Sequence, residues 1–144
     1  MDKYENIKLD NQLCFSLYAT SREVIKLYKP LLDQYNLTYT QYITMLVLWE
    51  AEKISFKEVG QKLHLDSGTL TPVLKKLESM QLIIKYRDKK DDRTVIIELT
   101  EKGTALKENI LQVPETMYCK LGGSFEKLKK LKESLDELLG ELNS

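Results

Sequence analysis

A chain of 144 residues, 42% hydrophobic and 31% charged, has the size and composition of one globular domain, and three Pro with six Gly exclude a low-complexity polymer. Its 22 basic and 22 acidic side chains cancel, so net charge gives no general attraction to polyanions and any such surface must be local. No apolar run reaches the roughly 20 residues that cross a bilayer, and Met1-Asp2-Lys3-Tyr4-Glu5 lacks the basic-then-apolar plan of a secretion signal, which points to a cytoplasmic protein without membrane partners.

From Asn11 to Tyr35 the apolar positions Leu13, Leu17, Val24, Leu27, Tyr28, Leu31 and Tyr35 recur at three- and four-residue steps. This predicts a long helix with Asp10 as N-cap and a bend at Pro30. A second helix is expected from about Thr40 through Tyr42, Met45, Leu46 and Trp49, capped by Thr38 or Thr40. After a short apolar patch at Ile54, Ser55-Phe56-Lys57-Glu58 has the capping-box form and opens a short helix with Val59 and Leu63 on one face. Leu65-Asp66-Ser67-Gly68 breaks it. The next helix places Leu70, Val73, Leu74, Leu77 and Met80 on its apolar side and Thr69, Thr71, Lys75 and Lys76 on its polar side.

Two β-branched segments follow, Leu82 to Tyr86 and Thr94 to Leu99, and the charged run Arg87 to Arg93 between them predicts a hairpin with a polar tip. Thr100-Glu101-Lys102-Gly103 starts a helix that carries Leu106, Ile110, Leu111 and Val113 and is interrupted at Pro114. Beyond Gly122-Gly123, Ser124 caps a last helix with a stripe of Leu128, Leu131, Leu135, Leu138, Leu139 and Leu142. The fold class is mainly α with a small β-hairpin. Residues of about 53–99 form a winged helix-turn-helix, and residues of about 10–52 and 100–144 supply helices with more apolar surface than that module covers. Those outer helices are expected to pair in a two-fold homodimer.

A helix-turn-helix followed by a hairpin is the plan in which the second helix enters the major groove and the hairpin reaches along the backbone. Ser67, Thr69 and Thr71 offer short donors and acceptors, Gly68 allows close approach, and Lys75, Lys76, Lys89, Lys90 and Arg93 supply cations. Pro72 removes a helix hydrogen bond beyond the first turn, so the helix start must be adapted to it. Nine basic and seven acidic residues between Ser55 and Leu99 leave a local balance of plus two, a weak field that implies salt-sensitive binding by a dimer. Packed helices and a solvated charged loop would show the same local patterns without any nucleic acid.

Only two cysteines are present, Cys14 and Cys119, and their spacing matches neither a zinc pattern nor a Cys-x-x-Cys motif. Cys14 falls in or just after the first turn of the first helix, in the run Leu13-Cys14-Phe15-Ser16-Leu17-Tyr18. There the helix N-terminus and phenolic donors favour a thiolate, the reactive form of cysteine. Tyr18 lies one turn further on, and Tyr28 and Tyr39 could approach from a partner subunit. The plain alternative is a pair of small buried hydrophobes. His64 cannot complete a metal site with such distant thiols. No cofactor motif and no enzymatic constellation is present, and thiol peroxidase is the one enzyme class with a foothold.

Four segments carry a resemblance: Leu13 to Ala19, Leu37 to Tyr42, Leu65 to Glu78, and Asp91-Asp92-Arg93 ahead of Leu99-Thr100. On these the sequence resembles the MarR family of winged-helix regulators and, within it, the OhrR-type sensors of organic hydroperoxides. The resemblance implies that Cys14 is the peroxidatic cysteine and that Tyr28 and Tyr39 of the opposite subunit hydrogen-bond it, with Tyr18 in the same pocket. It implies that Cys119 is the resolving cysteine, giving a disulfide between subunits on oxidation. Ser67 to Lys76 correspond to the recognition helix, Arg93 to the wing arginine and Asp92 to its stabilising partner. A dimer of this kind binds a palindromic operator when reduced, usually represses, and lets go when oxidised. A rival places an aromatic small molecule between the helices and leaves both thiols incidental.

Overall fold

A computed structural model describes residues 2–144. Among them, seven α-helices and three strands follow in the order α1 (Leu13–Asp33), α2 (Tyr39–Ala51), β1 (Lys53–Ser55), α3 (Phe56–Leu63), α4 (Ser67–Ser79), β2 (Ile83–Arg87), β3 (Val95–Leu99), α5 (Glu101–Asn109), α6 (Gln112–Leu121) and α7 (Phe125–Leu142). None is long and apolar enough to cross a membrane.

The helix starts show how local sequence sets the elements. Thr38 and Gln41 form a full capping box on α2: the Gln41 N–H donates to Thr38 Oγ1 at 3.3 Å, and the Thr38 N–H donates to Gln41 Oε1 at 3.0 Å. Ser55 caps α3 through the Glu58 N–H at 3.2 Å. The Glu58 carboxylate takes a bond from the Ser55 hydroxyl rather than from its backbone, so this box is only half made. Asp66 caps α4 by accepting the Thr69 N–H at 2.7 Å, which holds its carboxyl below the usual range.

Three expectations change. Asp10 lies inside a 3-10 turn, Leu9–Asn11, and cannot cap α1; Gln12 holds the cap position without a side-chain cap bond and donates instead to the carbonyls of Asn6 and Lys8. As expected, α1 runs on through Pro30, to Asp33. The helix after the hairpin breaks at Ile110-Leu111 rather than at Pro114, which occupies the first turn of α6, where a missing N–H costs no intrahelical bond. The patch at Ile54 is a third strand, β1, paired antiparallel to β3 with Ile54 opposite Ile97. The sheet order is β1-β3-β2, and β2 meets β3 with Ile83 opposite Leu99 and Arg87 opposite Val95.

The core lies where α2, α3, α4 and the sheet converge. Met45, Leu48, Val59, Leu70, Leu74, Leu77 and Ile97 are fully enclosed there, each worth about 1.5–3 kcal/mol of transfer energy. By contrast α1 buries only Leu32, and α7 buries nothing. Leu13, Phe15, Tyr18, Tyr118, Phe125, Leu131 and Leu139 are exposed on the outer helices, and Leu111 at the joint between α5 and α6. One close approach sets α5 against the hairpin: a Cβ at Gly103 would stand 2.1 Å from the Leu82 carbonyl oxygen. The Gly103 carbonyl in turn accepts the buried Trp49 indole N–H at 2.9 Å.

Gly103→Ala should therefore lower the unfolding free energy by about 3 kcal/mol. Urea unfolding checks this, and a loss below about 0.5 kcal/mol would show that α5 slides away without cost.

Candidate functional site

The polar face of α4 is open to solvent. Ser67, Gly68, Thr69, Thr71, Pro72, Lys75 and Lys76 are all exposed, while Leu70, Leu74 and Leu77 anchor the opposite face. The Thr71 hydroxyl donates back to the Ser67 carbonyl at 2.7 Å. Pro72 is the sixth residue of α4 and leaves the helix unbroken; the bond it forfeits, to the Gly68 carbonyl, lies on this solvated face, where water can replace it. Lys75 and Lys76 form no ion pair among the described residues.

The hairpin tip carries Lys89, Lys90 and Arg93, all exposed. Its shape is set by aspartates. Asp88 Oδ1 accepts the Lys90 N–H, and Asp91 Oδ1 accepts both the backbone N–H of Arg93, at 3.1 Å, and its Nε, at 3.2 Å. The carboxylate that steadies Arg93 is thus Asp91, not Asp92. A carboxylate two residues ahead reaches the backbone and side chain together in an Asx turn, and an adjacent one does not. Asp92 contributes its backbone carbonyl, which accepts Arg87 Nη1 at 2.7 Å.

At the other end of the molecule, Tyr28 of α1 and Tyr39 and Tyr42 of α2 form an aromatic cluster. Ring centroids are 4.8 Å apart for Tyr28 and Tyr39, 5.8 Å for Tyr28 and Tyr42, and 6.5 Å for Tyr39 and Tyr42. Burial, with the neighbouring phenols Tyr39, Tyr42 and Tyr118, pushes the Tyr28 hydroxyl up to about 12. Burial also raises Tyr39 and Tyr42. These phenols keep their protons across the physiological range and can only act as neutral donors or acceptors. A cleft of about 310 Å³ beside them is lined by Ile25, Tyr28, Lys29, Leu37, Thr38 and Tyr39.

Cys14 is the second residue of α1, a free, exposed thiol flanked by exposed Leu13 and Phe15. Tyr18 follows one turn later, exposed, with the Arg22 guanidinium 5.3 Å from its ring centroid. Fourteen residues of continuous helix separate Cys14 from Tyr28, a rise of about 21 Å. Tyr28 and Tyr39 are brought together, and Cys14 is not part of that group within one chain. Cys119, also free and exposed, follows Tyr118 in α6. The adjoining Tyr118 adds to the electrostatic field at Tyr28, and α6 packs on α1.

Two members of the phenol group escape a reading by pattern. Tyr42 follows Tyr39 by three residues and so shares its helix face, a spacing that signals the association; read for periodicity alone it is merely an apolar helix position. Tyr118 has no such signal, since only the folding of α6 against α1 brings it near. Among the described residues no three His, Cys, Asp or Glu side chains gather as a metal site.

Residues 26–110 match the family model described as transcriptional regulator SarA/Rot. The chain is 50% identical to the organic hydroperoxide resistance transcriptional regulator of Bacillus subtilis, over 99% of this chain and 97% of that protein. AbfR, a protein of Staphylococcus epidermidis, has in its reduced, DNA-bound form a TM-score of 0.81 and 34% identity, covering 99% of this chain and all of that one. In its disulfide form the TM-score is 0.67 at 34% identity, with 95% and 96% covered. With a winged helix-turn-helix, a thiol at the head of α1 and these relatives, the chain belongs to the MarR-type family of winged-helix transcriptional regulators, in its organic-hydroperoxide, OhrR-type group.

Proposed function

We propose that this protein is a homodimeric, thiol-switched repressor in the cytoplasm that holds a palindromic DNA operator when reduced and leaves it when an organic hydroperoxide oxidises Cys14. The observation that carries the proposal is the separation of Cys14 from the Tyr28, Tyr39, Tyr42 group along a single helix, which leaves both halves of a sensing pocket incomplete in one chain. Two-fold pairing of antiparallel α1 helices places each Cys14 against the partner's phenols and Cys119. The exposed apolar residues of α1, α6 and α7 supply the contact surface, and residues of about 10–52 and 100–144 then form the dimerisation region around the DNA-binding unit of about 53–99.

The Cys14 thiolate attacks one peroxide oxygen, so an S–O bond forms, the O–O bond breaks, and the alcohol leaves after taking a proton. Cys14 is then a sulfenic acid. The partner's Cys119 thiolate attacks that sulfur, forming the S–S bond and expelling hydroxide, which takes a proton to become water. Drawing these sulfurs to bonding distance shifts α1 against α6 and changes the spacing of the two α4 helices. The greater likeness to AbfR's DNA-bound forms, reduced and overoxidised alike, than to its disulfide form supports a chain poised for binding.

In the DNA-binding unit, α4 occupies the major groove with Ser67, Gly68, Thr69, Thr71 and Pro72 toward the bases and phosphates, and Lys75 and Lys76 along the backbone. Lys89, Lys90 and Arg93 reach from the wing, with Arg93 steadied by Asp91. Tyr18 completes the wall of the thiol pocket.

Cys14→Ser should keep its operator affinity within about twofold on addition of organic hydroperoxide, whereas the wild type should lose about a hundredfold. An operator shift beside a non-reducing gel checks both. Release of the serine protein equal to wild type, or release of the wild type with no covalent dimer, would sink the disulfide route. Arg93→Ala should weaken operator binding by about tenfold and reduce the salt slope by about 1, measured by fluorescence anisotropy across a salt series.

The phenols give a pH test. With Tyr28 raised from 10.0 to about 12, the unfolded chain loses that proton first as pH rises. The Tyr28 contribution to stability is therefore complete below pH 10 and is lost toward pH 12. In a tyrosinate absorbance titration, Tyr28→Phe should remove the component that ionises last; an unchanged profile would mean that Tyr28 is not the most protected phenol.

A further inference from the structure

The start of α5 is fastened to the segment that leaves the recognition helix by side-chain bonds from Thr100 and Lys102. α4 ends at Ser79 with Met80 as its C-cap, and Gln81 takes the left-handed backbone with φ of 63°, so the chain turns sharply there. The Thr100 hydroxyl accepts the Gly103 N–H at 3.0 Å, capping α5, and at the same time donates to the Gln81 carbonyl at 2.6 Å. Lys102 Nζ donates to the Met80 carbonyl at 3.0 Å. The Thr100 N–H donates to the Leu82 carbonyl at 3.1 Å, the same oxygen that excludes any side chain at Gly103.

The far end of α5 is tied to the thiol-bearing helices. The Tyr35 hydroxyl, just beyond α1, donates to the Asn109 carbonyl at 2.7 Å. Only Ile110 and Leu111 separate α5 from α6, which carries Cys119, and Ile110 and Val113 are buried at that joint. α5 is nine residues long, a rod of about 13 Å. It is thus fixed at one end to the helices that hold Cys14, Tyr28 and Cys119, and at the other to the exit of α4.

We propose that α5 is a strut that carries movement of the thiol-bearing helices to the recognition helix, with Thr100 and Lys102 as the positioning residues that grip the end of α4. This rests on the redox-regulator function proposed above. α4 keeps its seat through Leu70, Leu74 and Leu77, so the two exposed side-chain bonds add little to folding and serve to couple the helix to α5. They are suited to the task because each joins a side chain at the start of α5 to a backbone carbonyl just past the end of α4, Gln81 for Thr100 and Met80 for Lys102, where a small rotation of the strut pulls on the helix exit. A contiguous set of bonds becomes a coupling route only when breaking it uncouples the two ends.

The test is the double variant Thr100→Asp with Lys102→Met. Asp at 100 still accepts the Gly103 N–H and keeps the cap, but an ionised carboxylate has no proton to give the Gln81 carbonyl; Met keeps the Lys102 stem without its donor. The reduced variant should bind operator within about threefold of wild type. After hydroperoxide it should form the same covalent dimer on a non-reducing gel, yet lose less than about tenfold in affinity where wild type loses about a hundredfold. Thr100→Ser, which retains donor and acceptor, should release as wild type does. Full release by the double variant overturns the strut, and so does loss of binding by its reduced form, since the bonds would then support the fold itself. Hydrogen exchange on the wild type gives a second readout: amides of residues 80–82 should change protection on oxidation, and unchanged exchange there also overturns the proposal. Failure of wild type to release at all would count against the redox function and not against the strut.

Discussion

The rigidity of α1 is the constraint on which the rest depends. One unbroken helix carries Cys14 at its head and Tyr28 three-quarters of the way along, and its hydrogen-bonded backbone keeps them about 21 Å apart. No side-chain motion closes that gap. In the proposed mechanism the thiol has Tyr18 beside it on its own helix but meets Tyr28 and Tyr39 only on another copy, and the α1 and α7 faces left without a core are the surfaces through which that copy can arrive. The proposed pocket and the proposed dimer are therefore a single geometric requirement.

One buried cluster runs from Leu32 of α1 through Met45 and Leu48 of α2 to Leu70, Leu74 and Ile97, and on to Ile110 and to Val113 of α6, whereas α7 and the first half of α1 bury nothing in it. The winged helix is therefore packed directly on α2, and α2 carries Tyr39 and Tyr42. Directional bonds cross the same seam: the Trp49 indole on the Gly103 carbonyl and the Tyr35 hydroxyl on the Asn109 carbonyl. A close-packed core shared by both regions transmits a displacement of one to the other rather than absorbing it.

Much of this was legible in the residue order, because periodicity and capping are local physics. The three-and-four spacing of Leu70, Leu74 and Leu77, the Ser55 cap of α3, and the β-branched runs around a charged tip place the winged helix directly, while the choice of Thr38 over Thr40 as the cap of α2 came only with the structure. β1 was not legible, since three residues are too few to display alternation and its partner β3 lies more than forty positions away. Asp10 looked like a cap because its residue type is right; only the preceding 3-10 turns, held by Gln12, show that the helix starts later. The choice between Asp91 and Asp92 depended on the turn geometry of the wing tip. For the cysteines, sequence left two alternatives open, buried hydrophobe or sensor. In the single chain both thiols are exposed, at positions set by how α6 folds against α1.

The near-neutral balance of the DNA-binding unit has one more consequence. With only two net positive charges between Ser55 and Leu99, each half of the proposed dimer would hold DNA weakly, and tight attachment would come from two simultaneous grips. Avidity of that kind vanishes once the second grip no longer meets its half-site. A shift of a few ångströms between the two readers, rather than destruction of either one, would then suffice to empty the operator.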